Sequence, residues 1–186
     1  MEKLIIGGVD MWGNMMATQA LLDQKICQEK NVAFKDLNTE RALATMDELL
    51  EYAKETRCFH YWSLKEAAPE AIRLEEFVDG IHFYLSRGNE IGLNPDVFVT
   101  CSKDAAALAP KHLKNLGNKK ALAYAIRKAL LHLSVHFENR EDQNTFTASL
   151  SYFLMAGYID GFSDHDIERH YYIKNAENHD RQKRGY

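Results

Sequence analysis

The sequence predicts an all-α fold built as one domain. Three observations carry this. Prolines are rare, with Pro69, Pro95 and Pro110 the three in the chain. Apolar residues recur at helical spacing over long stretches, and runs with strand character are scarce. Prolines so placed punctuate the chain and leave long uninterrupted segments between them, which suits helices.

The elements follow in order. Residues 1–14 carry Gly7, Gly8 and Gly13 around Trp12 with no clear period, and they are left unassigned. Residues 15 to about 30 read as a first helix, because Met15, Leu22 and Ile26 fall near one stripe. Asn38 or Thr39 can cap a second helix that runs to about Cys58. The segment FHYWSLKEAAPE is an aromatic-rich turn. A third helix is expected from about Glu70 to Ser86, losing regularity near Gly88 and Gly92. Residues 93–117 contain Pro95, Pro110 and Gly117 and read as a connector or small insertion. KKALAYAIRKALLHLSVHFE and EDQNTFTASLSYFLMAGYIDG are two further helices. Ser163 followed by Asp166 has the form of a capping box, so a last helix starts there.

Composition narrows the class. Hydrophobic residues make up 46% of the chain, enough for a proper core, and charged residues 27%. A formal net charge of −4 argues against a nucleic-acid-binding surface. Cys27, Cys58 and Cys101 form no CxxC pair and are odd in number, which suits a reducing compartment. LIIGGV, flanked by Glu2 and Asp10, is too short and too acidic in its flanks for a signal-peptide core. No run approaches the roughly 20 apolar residues of a membrane helix. These points predict a cytoplasmic protein with no membrane partner.

Two acidic pairs stand out. Glu48 and Glu51 are three apart on the second helix, and Glu76 and Asp79 are three apart on the third. Residues at that spacing are neighbours on one helix face, so each pair is a like-charge contact that costs about 0.2–0.5 kcal/mol even in water. Asp79 is the sharper case, since Phe77, Val78, Gly80 and Ile81 surround it in sequence. Carboxylates in apolar surroundings resist ionisation, and a divalent cation would offset that. Hard oxygen donors suit Mg²⁺, with Mn²⁺ an alternative, and Mg²⁺ commonly binds through a few carboxylates plus substrate phosphates. A lone ExxE is usually a solvated surface, and Glu55 and Glu75 are read that way. A di-iron bundle would need a Glu-x-x-His on each of two helices, whereas this chain offers a single Asp79-x-x-His82. His82 is read as a core residue or one that orients a carboxylate. His132 and His136 are four apart, lack a third ligand, and are read as structural.

Glu48-x-x-Glu51, then 24 residues, then Glu76-x-x-Asp79 resembles the acidic signature of the MazG-like all-α nucleoside triphosphate pyrophosphatases. Within that superfamily, ETRCFHYWS, LEEFVDGIHFYLSRG and the closing YYIKNAENHDRQKRGY resemble the dimeric all-α dUTPases of bacteria and their phages. QALLDQKI, with Gln19 and Asp23, is similar to that family's first helix. The resemblance covers residues from about 15 to 186. It implies a MazG-like helical bundle with a carboxylate metal site between two helices. It further implies a homodimer and Mg²⁺-dependent hydrolysis of dUTP to dUMP and pyrophosphate. Glu48, Glu51, Glu76 and Asp79 would be the metal ligands, with Glu48 also taking the proton of the attacking water. Gln19 would read the base edge, Asp23 would stand among the substrate-binding residues, and Trp62 would help wall the pocket. Lys174 and Asn178 would meet phosphates or sugar, and Arg181 the phosphate tail. One departure is His60, which stands where the family commonly has lysine and carries less charge at neutral pH.

Two alternatives stay open at this level. A side-chain amide such as Gln19 pairs with uracil in one orientation and with cytosine when flipped, so dCTP or dual dCTP/dUTP cleavage is possible. A non-catalytic nucleotide sensor on the same fold would be expected to have a broken acidic set, and all four acids are present.

Overall fold

The computed structural model describes residues 6–139 and 142–184. The described residues form seven α-helices: α1 (Ile6–Lys30), α2 (Asn38–Thr56), α3 (Glu70–Glu90), α4 (Pro95–Leu116), α5 (Asn118–Glu138), α6 (Gln143–Asp160) and α7 (Asp164–Lys183). A 3-10 turn at Phe34–Asp36 precedes α2, and there is no strand among the described residues. None of the described helices is long and apolar enough to cross a membrane.

Several boundaries differ from the sequence reading. The first helix begins at Ile6, so the Gly-rich stretch left unassigned is helical, and residues 1–5 lie outside the description. Trp12 and Met15 are buried on it, one turn apart, which outweighs the cost of Gly7, Gly8 and Gly13. The second helix stops at Thr56, because Arg57 takes a left-handed conformation and returns its N–H to the Lys54 carbonyl. Asn38 is the first residue of that helix, and the capping position falls on Leu37 with no side-chain cap. The third helix continues through Gly88 to Glu90.

The segment read as a connector is the 22-residue helix α4. Pro95 sits in its first turn, where a missing N–H is no loss, and Asn94 caps it by accepting from the Asp96 N–H. Phe98, Cys101, Ala105 and Ala109 repeat along its buried face. Pro110 lies inside the helix and is exposed, two turns from the end. The small apolar residues of that face disguise a helical stripe that packs on α6 and α1.

α3 and α6 meet in the core through two buried phenylalanines. Phe77 and Phe153 stack with centroids 4.5 Å apart, and Tyr52 meets both rings edge-on. Each ring lies over a glycine of the facing helix. A Cβ on Gly80 would come within 2.6 Å of Phe153, and one on Gly157 within 2.5 Å of Phe77. That reciprocal seating sets the separation of the two helices and leaves no room for a methyl group.

The predicted capping box is present at α7: Ser163 accepts from the Asp166 N–H and Asp166 accepts from the Ser163 N–H. The helix then runs back across α1 and α3, with Tyr171 buried against both. This brings the C-terminal residues beside the acidic faces of α2 and α3.

Candidate metal and nucleotide site

On α2, Leu49, Tyr52 and Ala53 are buried and fix the helix's rotation, which turns Glu48 toward α3. On α3, Phe77, Val78 and Ile81 do the same and leave Glu76 and Asp79 on the side facing α2 and α7. Oxygens of Glu48, Glu76 and Asp79 all lie within 4.8 Å of one another, and all three residues are half-buried. Glu51 stands exposed outside this group, yet its charge is felt by both Glu48 and Glu76. Burial, then the charges of Asp79, Glu51 and Glu76, push the Glu48 carboxyl up to about 7. Burial likewise raises Glu76 and Asp79 above the ordinary range. Lys174 reaches in from α7, with its Nζ 2.9 Å from Asp79 and 2.7 Å from Glu75. Glu75 is therefore an ion-pair partner and not idle surface charge; its hydrogen bond with Lys174 lowers its carboxyl. A cluster of half-buried hard oxygens that hold each other's protons on fits Mg²⁺ or Mn²⁺.

This strain has a pH signature. A Glu48 carboxyl raised to about 7 keeps a proton in the folded chain that the unfolded chain has already released. The folded state therefore binds more protons across that window, and stability falls as pH rises through it. After allowance for solvent screening of this partly exposed group, the fall is about 1–2 kcal/mol. A cation in the cluster offsets the repulsion. The rise in melting temperature on adding Mg²⁺ should thus be larger at about pH 8 than at about pH 6. Thermal melts with Mg²⁺ and with chelator at both values check this, and equal shifts would remove the coupling between ion and cluster.

The acids open onto a cavity of about 350 Å³. Arg41 precedes Glu48 by seven residues on α2, and Ser86 follows Asp79 by seven on α3. Both pairs stand two turns, or about 10 Å, apart along their helices. All four residues line the cavity, which therefore has an acidic end and an Arg41–Ser86 end. Leu22, Ile26, Phe34 and Phe83 supply apolar wall, and Asn178, Arg181 and Gln182 of α7 close one side.

Gln19 is buried in the cavity lining. Its Nε2 donates to Asp23 Oδ1 at 2.8 Å, and its Oε1 lies 2.8 Å from His82 Nδ1. Burial raises the Asp23 carboxyl. As a carboxylate it can only accept, and with the amide so oriented His82 donates from Nδ1. The Tyr171 hydroxyl shares its proton between the Met15 carbonyl and Gln19 Oε1. Both lone pairs of Oε1 are thus occupied by protein donors. The His82 ring stacks on Tyr171, and burial, followed by the Lys174 charge, pushes its pKa down to about 3. It is neutral, and its Nε2 has no partner among the described residues.

Of the residues singled out in the sequence, Gln19, Asp23, Glu48, Asp79, Asn178 and Arg181 line one cavity. Lys174 binds the acids from their flank. Trp62 is 65% exposed and stands outside the cavity's described lining. His60 lies in the same turn, stacked on Phe59. His82 orients Gln19 and not a carboxylate. His136 takes a hydrogen bond from Arg87 Nε, and His132 stacks on Tyr152, so the two serve separate contacts. Sequence reading missed Arg41, Ser86 and Phe83. The signal for Arg41 and Ser86 was their seven-residue spacing from Glu48 and Asp79, and for Phe83 its four-residue spacing from Asp79, each of which keeps a pair on one helix face.

Fold and site together define an all-α helical bundle with a carboxylate cluster between two helices. The chain belongs to the all-α dUTPase family: the profile of that family, described as dUTPase, matches residues 11–186. Neither the curated proteins nor the solved structures contain a match to it. Membership in the family supports dUTP hydrolysis in general.

Proposed function

We propose that this protein hydrolyses dUTP to dUMP and pyrophosphate with Mg²⁺. The observation that carries the reading is the two-ended cavity, with metal-ligating acids at one end and buried polar groups about 10 Å away at the other. That separation lets a nucleotide place its phosphates on the acids and its base at the far end. Glu48, Glu76 and Asp79 would hold the ion, with Glu51 joining from the rim. Bound there, Mg²⁺ supplies positive charge to the phosphate oxygens and acidifies water.

The remaining work falls to the chain. A water oxygen bonds to phosphorus, the bridge between the α and β phosphates breaks, and pyrophosphate leaves. Glu48 takes the water's proton, since a carboxyl near 7 is poised between its two states at neutral pH. Lys174 exchanges its contact with Asp79 for one with a phosphate, and Arg181 offers a fork to the phosphate tail. Phe83 and Phe34 shield the faces of the base. The same reading includes a homodimer and a cytoplasmic location; the exposed Tyr61, Trp62 and Leu64 are surface that an interface would cover.

Pyrophosphate release from dUTP, dCTP, dTTP and UTP, each with Mg²⁺ and with chelator, tests the reading. Mg²⁺-dependent release with dUTP preferred is expected. No release from any of the four would overturn it.

A further inference from the structure

We infer that Glu75 is a positioning residue: it holds the Lys174 ammonium beside the acidic cluster when an ion takes Asp79, so that lysine and ion share the cluster and do not compete for it. The inference rests on Glu48, Glu76 and Asp79 holding the ion.

The observation behind it is a three-part bridge. Lys174 Nζ lies 2.7 Å from Glu75 Oε1 and 2.9 Å from Asp79 Oδ2. The Lys174 side chain is 10% exposed, that of Asp79 19% and that of Glu75 53%. One ammonium thus joins a carboxylate that lines the cavity to another that faces solvent. Glu75 and Asp79 are four apart on α3 and share a face, so a single side chain from α7 reaches both. Lys174 and Glu75 also line a second hollow of about 270 Å³, whose described lining includes none of the three cluster acids. The ammonium therefore has open space on its Glu75 side.

A buried ammonium needs a counter-charge, because leaving it unpaired costs several kcal/mol. In the ion-free protein Asp79 and Glu75 both supply it. A divalent cation and an ammonium repel each other across one small carboxylate, and the low exposure of the site strengthens that repulsion. Ion binding thus loosens the contact between Lys174 and Asp79. Glu75 is not among the three acids that converge, so the ion leaves it to the lysine. It keeps the positive charge at the flank of the cluster, where the phosphates would arrive. Arg181 and His170 also act on Glu75 through their charges, and the hydrogen bond comes from Lys174. Without Glu75 the ammonium has Asp79 alone, and it either opposes the ion there or sits unpaired.

The test is calorimetric binding of Mg²⁺ alone, without nucleotide, to the wild type, Glu75→Gln, Lys174→Met and the double variant. Lys174→Met should bind Mg²⁺ at least about threefold more tightly, since the competitor at Asp79 is gone. Glu75→Gln should bind it at least about fivefold more weakly, and the same change in the Lys174→Met background should shift affinity by less than about twofold. The Mg²⁺ concentration for half-maximal pyrophosphate release from dUTP should rise in Glu75→Gln by the same factor. Equal weakening in both backgrounds would make Glu75 a charge that acts on the ion directly, and no weakening in either would make its ion pair structural. Both results overturn the inference and leave the ion site standing. Absence of Mg²⁺ binding in the wild type and Lys174→Met alike would sink site and inference together. The expected pattern of binding without pyrophosphate release would sink the proposed hydrolysis and support the inference. Should Lys174→Met fail to fold, Lys174→Gln, which is polar and of similar reach, takes its place.

Discussion

Replacing Glu48 with glutamine is expected to lower dUTP turnover by roughly a thousandfold while making the ion-free protein more stable. The activity loss follows from two roles. A general base contributes about 10²–10⁴-fold, and the same carboxylate is one of the three that converge. Glutamine keeps the shape and removes both the charge and the proton acceptor. The stability gain follows from the cluster. Burial and the neighbouring acids, Asp79 foremost, already push Glu48 up to about 7, so removing its charge relieves Asp79, Glu51 and Glu76 together. Opposite signs in activity and stability mark a residue retained for chemistry at a cost to the fold. Turnover with Mg²⁺ and a chelator-treated melt measure the two effects. Activity above about a tenth of wild type would remove Glu48 from the centre of the reaction. A lower melting temperature would mean that the cluster is held together by pairing and not strained by repulsion.

The acidic pairs were legible because helix spacing alone places Glu48 beside Glu51 and Glu76 beside Asp79, and because Asp79 interrupts an apolar run. The α7 cap was legible for the same local reason. The groups that Gln19 touches were not. His82 and Tyr171 stand on other helices, and their meeting depends on how α7 crosses α1 and α3. An amide that looks ambiguous in sequence is locked by those two neighbours. Glu75 is exposed as expected, but its ion pair was not legible, because Lys174 lies on a helix that returns only in three dimensions. The α4 stripe was hidden by its composition: alanine and cysteine bury well between aromatic rings yet give a weak apolar signal, and two prolines drew the eye to breaks. Trp62 lies in a turn whose exposed side chains carry no spacing signal at all.

Asp160→Ala is expected to destabilise the protein by about 3 kcal/mol, a drop of roughly 6–12 °C in melting temperature for a chain of this size. Asp160, at the end of α6, receives Arg73 through Nε at 2.9 Å and Nη2 at 3.0 Å. The Tyr52 hydroxyl shares its proton between Asp160 at 3.2 Å and the Ala156 carbonyl at 3.4 Å. The Asp160 side chain is 6% exposed and that of Arg73 16%, so alanine would strand a largely buried guanidinium. The consequence reaches the site. Tyr52 is one turn from Glu48 on α2, and Arg73 is one turn before Glu76 on α3, so a single carboxylate ties down both helices that carry the acidic cluster. Mg²⁺ should therefore stabilise Asp160→Ala less than it stabilises the wild type, because the cluster is less well formed before the ion arrives. Asp160→Asn, which keeps an acceptor for Arg73 and Tyr52 but not the charge, should fall between the two. A melting temperature for Asp160→Ala within about 2 °C of wild type would show that core packing alone holds α2 and α3 in register. The Arg73–Asp160–Tyr52 contact would then have no part in shaping the site.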